Sequence, residues 1–134
     1  MKIAILEDQP DILELLTTVL ELSGHRAYFY PTGTSLVEAL FTPQSKQAPL
    51  PYDLLLIDLY LSGTLSGLEV IHSIYQHISP WTLPIILTSA TSQSGLAELQ
   101  ADLPMVTVLR QPFHVKDLLA LIERRVISPA PCSV

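Results

Sequence analysis

The sequence predicts an α/β fold in which a five-stranded parallel sheet is covered by helices on both faces. Two observations carry this. Short, nearly continuous apolar runs such as KIAIL, LLLI and IIL recur along the chain, as in strands buried on both sides. Between the runs, apolar residues fall at helical spacing, so the strand and helix periods alternate from end to end.

Lys2 to Leu6 is the first strand. Ile12, Leu15, Leu16, Val19 and Leu20 then share one helical stripe, which Ser23-Gly24 ends. Arg26 to Tyr30 reads as a strand, Pro31-Thr32-Gly33 as a turn, and Ser35 to Phe41 as a second helix. The segment TPQSKQAPLP, residues 42–51, carries three prolines and reads as an exposed loop too short to divide domains. Asp53 to Asp58 is the third strand, followed by a Gly/Ser loop and a stripe of Leu68, Ile71, Tyr75 and Ile78 that Ser79-Pro80 closes. Pro84 to Ser89 is a fourth strand, Ser94 to Ala101 a short helix of weak pattern, and Met105 to Leu109 a fifth strand. Val115, Leu118, Leu119, Ile122 and Val126 form the last stripe. The sequence thus predicts one domain over residues 1–127 and a disordered tail, SPAPCSV, over 128–134.

Composition narrows the function. A chain of 134 residues that is 49% apolar suffices for one core. A net charge of -6 argues against nucleic-acid binding, which needs a clustered basic face. The one basic doublet, Arg124-Arg125, fits the polar face of the last helix. A single cysteine, Cys132, forms no internal disulfide. The amino terminus MKIAILED resembles neither a signal peptide nor a membrane span. Together these point to a soluble, cytoplasmic protein. His25, His72, His77 and His114 show no metal-ligand spacing. Trp81, between two prolines, reads as a loop anchor, and Pro31 to Ser35 as a turn with a helix N-cap.

In open α/β sheets, ligands bind beyond the carboxyl ends of the strands. Those ends carry Glu7-Asp8, Asp58, Thr88-Ser89-Ala90 and Arg110-Gln111-Pro112-Phe113. If the first and third strands are neighbours, three carboxylates converge, and their repulsion forces either a proton or a cation into the cluster. Oxygen ligands without His or Cys suit Mg²⁺. The bland alternative is helix capping by Asp8 and loop-amide bonding by Asp58. A carboxylate beside Mg²⁺ and a hydroxyl suits nucleophilic phosphoryl chemistry.

The stretches ILEDQPDI, LLLIDLYLSGTLSGLEVI and PIILTSA, with Pro-Phe after the fifth strand, resemble the receiver domain of two-component response regulators over residues 2–127. The resemblance implies a flavodoxin-like, three-layer α/β/α arrangement with strand order 2-1-3-4-5. It implies that Asp58 is the phosphoacceptor, that Asp8 and the backbone carbonyl of Tyr60 join Asp58 as Mg²⁺ ligands, and that Glu7 completes the acidic pair. Ser89 matches the hydroxyl that moves toward the phosphoryl group. Thr88 is its neighbour; strand alternation lets only one of the two face the site, and Ser89 is the one expected to do so. The implied protein is a signalling module and not an enzyme. Its donor is a sensor histidine kinase or phosphotransfer protein. No output domain follows the last helix, which suggests a stand-alone receiver acting through protein contact. The expected contact face comprises the fourth helix, fifth strand and fifth helix, toward a target or a second copy.

Two positions depart from the family pattern. Gln111 stands where the family usually has Lys. A hydrogen bond to a charged group contributes about 1.5–3 kcal/mol, against about 0.5–1.5 for a neutral one, so Gln keeps part of that contact and loses its charge. Arg110 should point away from the site and not replace the Lys. Val108 stands where the family often has Tyr or Phe. The alternative reading is therefore a degenerate receiver that binds a partner regardless of phosphate. A phosphatase with an aspartate nucleophile is disfavoured, because Tyr60 and not a carboxylate lies two residues after Asp58.

Overall fold

The structure is a computed structural model that describes residues 1–41, 52–59, 66–79, 82–90, 93–111 and 113–127. Strands β1 (Lys2–Leu6), β2 (Arg26–Tyr30), β3 (Leu54–Asp58), β4 (Ile85–Ser89) and β5 (Thr107–Arg110) pair in parallel in the order β2-β1-β3-β4-β5. Helices α1 (Pro10–Leu22), α2 (Gly33–Leu40), α3 (Gly67–Tyr75), α4 (Gln93–Asp102) and α5 (Val115–Ile127) connect or follow them. This is the flavodoxin-like order.

Strand alternation divides the core in two. Ala4, Leu6, Leu55, Ile57, Ile85 and Leu87 pack with α2 and α3 through Leu36, Leu40, Val70, Ile71 and Ile74. The intervening residues Ile3, Ile5, Leu54, Leu56 and Ile86 pack on the other face with Leu16 and Leu20 of α1 and Leu118 and Ile122 of α5. The central strands β3 and β4 are buried along their whole length, whereas the edge strand β2 is largely exposed. Continuous apolar runs mark the former because both faces are covered.

Local chemistry sets the ends of the elements. Gly24, at φ 88°, closes α1 in the left-handed region. Thr32 caps α2: its Oγ1 accepts the Ser35 N–H at 3.1 Å, and Ser35 Oγ accepts the Thr32 N–H at 3.4 Å. The predicted turn and cap at Pro31–Ser35 is thereby observed, with α2 starting at Gly33, two residues early. Helix α3 stops at Tyr75, before the expected Ile78, where the His77 and Ile78 N–H groups both turn back onto the Ile74 carbonyl. Strand β5 begins at Thr107 and not at Met105. The Val106 N–H donates to the Leu103 carbonyl, and the Gln100 amide donates to the carbonyls of Leu103 (3.0 Å) and Val106 (2.8 Å), which holds these residues in a turn. The expectations for the proline-rich loop, Trp81, Cys132 and the tail fall outside the described residues.

Gly67 opens α3 directly beneath the end of β3. Its N–H donates to the Leu59 carbonyl at 3.1 Å, and a Cβ there would meet the Asp58 carbonyl oxygen at 2.5 Å and Leu59 Cα at 2.9 Å. Both neighbours are backbone, so neither yields cheaply. Helix propensity alone favours Ala over Gly by about 0.5–1 kcal/mol. Overpacking works the other way, and Gly67→Ala is expected to destabilise the fold by about 1–3 kcal/mol in urea unfolding. A gain in stability would show that α3 moves off β3 without cost.

Candidate metal centre

The site grows out of strand register. Leu6 pairs with Ile57, so Glu7, one residue on, lies beside Asp58. Asp58 pairs with Thr88, and Thr88 with Leu109. Residues opposite one another in a parallel sheet share a face. Ile5, Leu56 and Ile86, two residues before Glu7, Asp58 and Thr88, all belong to the α1/α5 core. Glu7, Asp58 and Thr88 therefore form one polar row that continues an apolar face past its carboxyl edge.

Asp8 joins this row from the loop before α1. Glu7, Asp8 and Asp58 each offer a carboxylate oxygen, and these oxygens all lie within 4.8 Å of one another. Glu7 is 2% exposed and Asp58 8%, while Asp8 is half-buried. Helix α1 begins with Pro10 after Gln9, whose side chain forms no cap. Glu7 Oε1 instead accepts the N–H groups of Asp8 (3.0 Å) and Gln9 (3.1 Å) just ahead of the helix.

Burial raises the Glu7 carboxyl from 4.5 to about 7. The Gln9 amide opposes the rise, the charge of Asp58 and a side-chain hydrogen bond to it add to it, and the Asp8 amide opposes it. A carboxyl that shares a proton with its neighbour marks a cluster with excess negative charge. An oxygen-only donor set of this kind fits Mg²⁺, which is typically held by one or two carboxylates together with water. Tyr60, the expected carbonyl ligand, lies outside the described residues.

The remaining predicted residues surround this cluster. Ser89 ends β4, fully buried and in register with Arg110. Alternation groups it with Ile85 and Leu87 on the α2/α3 face, so the hydroxyl in register with Asp58 is that of Thr88. Gln111 N–H donates to the Ser89 carbonyl at 2.6 Å, and Gln111 Nε2 donates to Thr88 Oγ1 at 3.1 Å. That side-chain pair was not foreseen from the sequence. Its signal was the period of two along β5 and β4, which needed the inter-strand register to be read. Arg110 is exposed and shares its face with Val108, away from Asp58, as alternation predicted. Val108 packs against the α2/α3 core beside Leu87. His114 is solvent-exposed just ahead of α5. Next to Gln111 lies an apolar groove of about 430 Å³ between Ile12, Leu15 and Leu16 of α1 and Phe113 and Val115 at the start of α5.

A family model, the response regulator receiver domain, matches residues 3–123. The chain belongs to that family. A curated relative, a probable transcriptional regulatory protein of Picosynechococcus sp., is 24% identical over 119 residues, which are 89% of this chain. The chain spans 46% of that relative's length. Among solved structures, a sensor protein from Polaromonas sp. JS666 superposes with a TM-score of 0.75 at 26% identity, covering 94% of this chain and 95% of that one. The receiver domain of a Francisella response regulator gives 0.73 at 21% identity, covering 91% and 93%. A Thermotoga maritima response regulator, solved in complex with Mg²⁺ and BeF, gives 0.72 at 24%, covering 92% and 96%. Receiver domains bind Mg²⁺ at an acidic pocket, and the Glu7–Asp8–Asp58 cluster is present here. Among the described residues, no helix is long and apolar enough to cross a membrane.

The raised Glu7 carboxyl has a signed consequence. The folded protein keeps a proton that the unfolded chain releases near pH 4.5. Stability therefore falls as pH rises from about 4.5 and levels off above about 7. Without divalent cations, urea unfolding is expected to show a loss of about 2 kcal/mol between pH 5 and pH 7.5. Glu7→Gln should flatten the slope, and Mg²⁺ should restore stability at pH 7.5. An equal slope in wild type and Glu7→Gln would assign the proton to another group.

Proposed function

We propose that Asp58 accepts a phosphoryl group from a phosphohistidine on a sensor kinase or phosphotransfer protein. An Asp58 carboxylate oxygen attacks phosphorus, the donor N–P bond breaks, and its electron pair returns to the imidazole nitrogen. The observation that carries this reading is the convergence of the Glu7, Asp8 and Asp58 carboxylates at the carboxyl edge of β1 and β3. Asp8 and Asp58, with the Tyr60 carbonyl, would hold Mg²⁺, which when bound offsets negative charge on the transferring group. Ser89 would be the hydroxyl that moves toward that group, as the resemblance of PIILTSA implies. Output would pass through a protein contact on the α4–β5–α5 face, with a target or a second copy.

A second reading is supported by one observation. Gln111 brings no charge to the Lys position, and its amide is engaged by Thr88. A receiver so altered works as an interaction module whose binding does not depend on phosphate. Intact-protein mass after incubation with acetyl phosphate and Mg²⁺ separates the two. One added phosphoryl group on wild type and none on Asp58→Asn supports the phosphorelay. No addition to wild type, with either this donor or a cognate kinase, leaves the interaction module. Asp58→Ala is also expected to weaken Mg²⁺ binding at least tenfold by titration, since it removes one of the charged ligands.

A further inference from the structure

The hydroxyl of Thr88 has no assigned part in the reading above, yet it stands next to Asp58 at the end of the polar row. It is 3% exposed and stands in register with Asp58 on the same face of the sheet. Its carbonyl accepts the Leu59 N–H at 2.9 Å, which ties it to the residue after Asp58. Its strand neighbours on that face, Ile86 and Leu109, are apolar. A hydroxyl buried there costs about 1–3 kcal/mol unless bonded, and Gln111 Nε2 bonds it at 3.1 Å.

A threonine hydroxyl has one proton to donate and two lone pairs that accept. Gln111 donates its N–H to Thr88 Oγ1, which leaves the Thr88 proton for a second partner. Adjacent strands lie about 4.8 Å apart, so the neighbour along the row is the Asp58 carboxyl. Gln111 is itself fixed at both ends, by its backbone N–H on Ser89 and its side-chain amide on Thr88.

We propose that Thr88 and Gln111 form a neutral hydrogen-bond relay that stands in for the missing lysine. Gln111 is the positioning residue that orients the Thr88 hydroxyl, and Thr88 donates its proton in a hydrogen bond to a phosphoryl oxygen carried on Asp58. No proton is transferred and no bond is exchanged beyond the phosphoryl transfer already written. The inference rests on the reading of Asp58 as phosphoacceptor. It also separates two hydroxyls: Thr88 acts from its resting position, whereas Ser89 must move to reach the group.

The test is the rate of phosphoryl uptake from acetyl phosphate with saturating Mg²⁺, read by intact mass, with folding of each variant checked by urea unfolding. Thr88→Val keeps the shape and removes the hydroxyl, and is expected to slow uptake about tenfold, the worth of one hydrogen bond to a charged group. Thr88→Ser should stay within about twofold of wild type. Gln111→Ala combined with Thr88→Val should be no slower than Thr88→Val alone, because the two act in series. In a Gln111→Lys background the effect of Thr88→Val should shrink. Wild-type uptake by Thr88→Val, or equal impairment of Thr88→Ser and Thr88→Val, would overturn the relay while leaving Asp58 as acceptor. No uptake by wild type would overturn both.

Discussion

Charge crowding between Glu7 and Asp58 organises the carboxyl edge of this sheet. Two carboxyls side by side on adjacent strands, both nearly excluded from water, ionise together only at a cost: burial first, and the neighbouring charge after it, raise Glu7 to about 7. Two backbone amides directed at Glu7 offset part of that cost, and a third carboxylate, Asp8, lies half-buried within reach of the other two.

That crowding is itself a product of register. The row from Glu7 through Asp58 to Thr88 exists because β1, β3 and β4 are adjacent and in step. The same face is apolar up to Ile5, Leu56 and Ile86, where α1 and α5 cover it. Polar chemistry begins where that cover ends. The rigid, buried strands hold the carboxylates in place, and the cost of doing so is spread over a core that extends on both sides of the sheet. Gly67 contributes from the opposite face, since its missing side chain lets α3 close against the Asp58 backbone.

The departures from the family pattern gather at one corner. Val108 lies within β5 and packs against the α2/α3 core, whereas Gln111 lies one residue past the strand and donates to Thr88. Gln111 places a dipole where the family usually has a charge, bonded to Thr88 beside Asp58. Val108 fills, with a small branched side chain, the face toward which Ser89 points.

Much of this was legible in the residue pattern. Alternating periods determined the five strands and five helices, because burial on one or both faces imposes a period that local sequence records. The acidic residues at strand ends determined a candidate Mg²⁺ site, because oxygen donors and like charges narrow the choice of ion. Thr32 and Ser35 declared their cap through spacing alone. Adjacency of β1 and β3 was different: no local pattern encodes it, and resemblance supplied it before the sheet order showed it. The start of β5 depended on Gln100 reaching across a turn to two carbonyls. The partnership of Gln111 with Thr88 depended on two strands coming into step from 23 residues apart. Those contacts are decided by register between distant segments, and register is a property of the folded sheet, not of any stretch of chain within it.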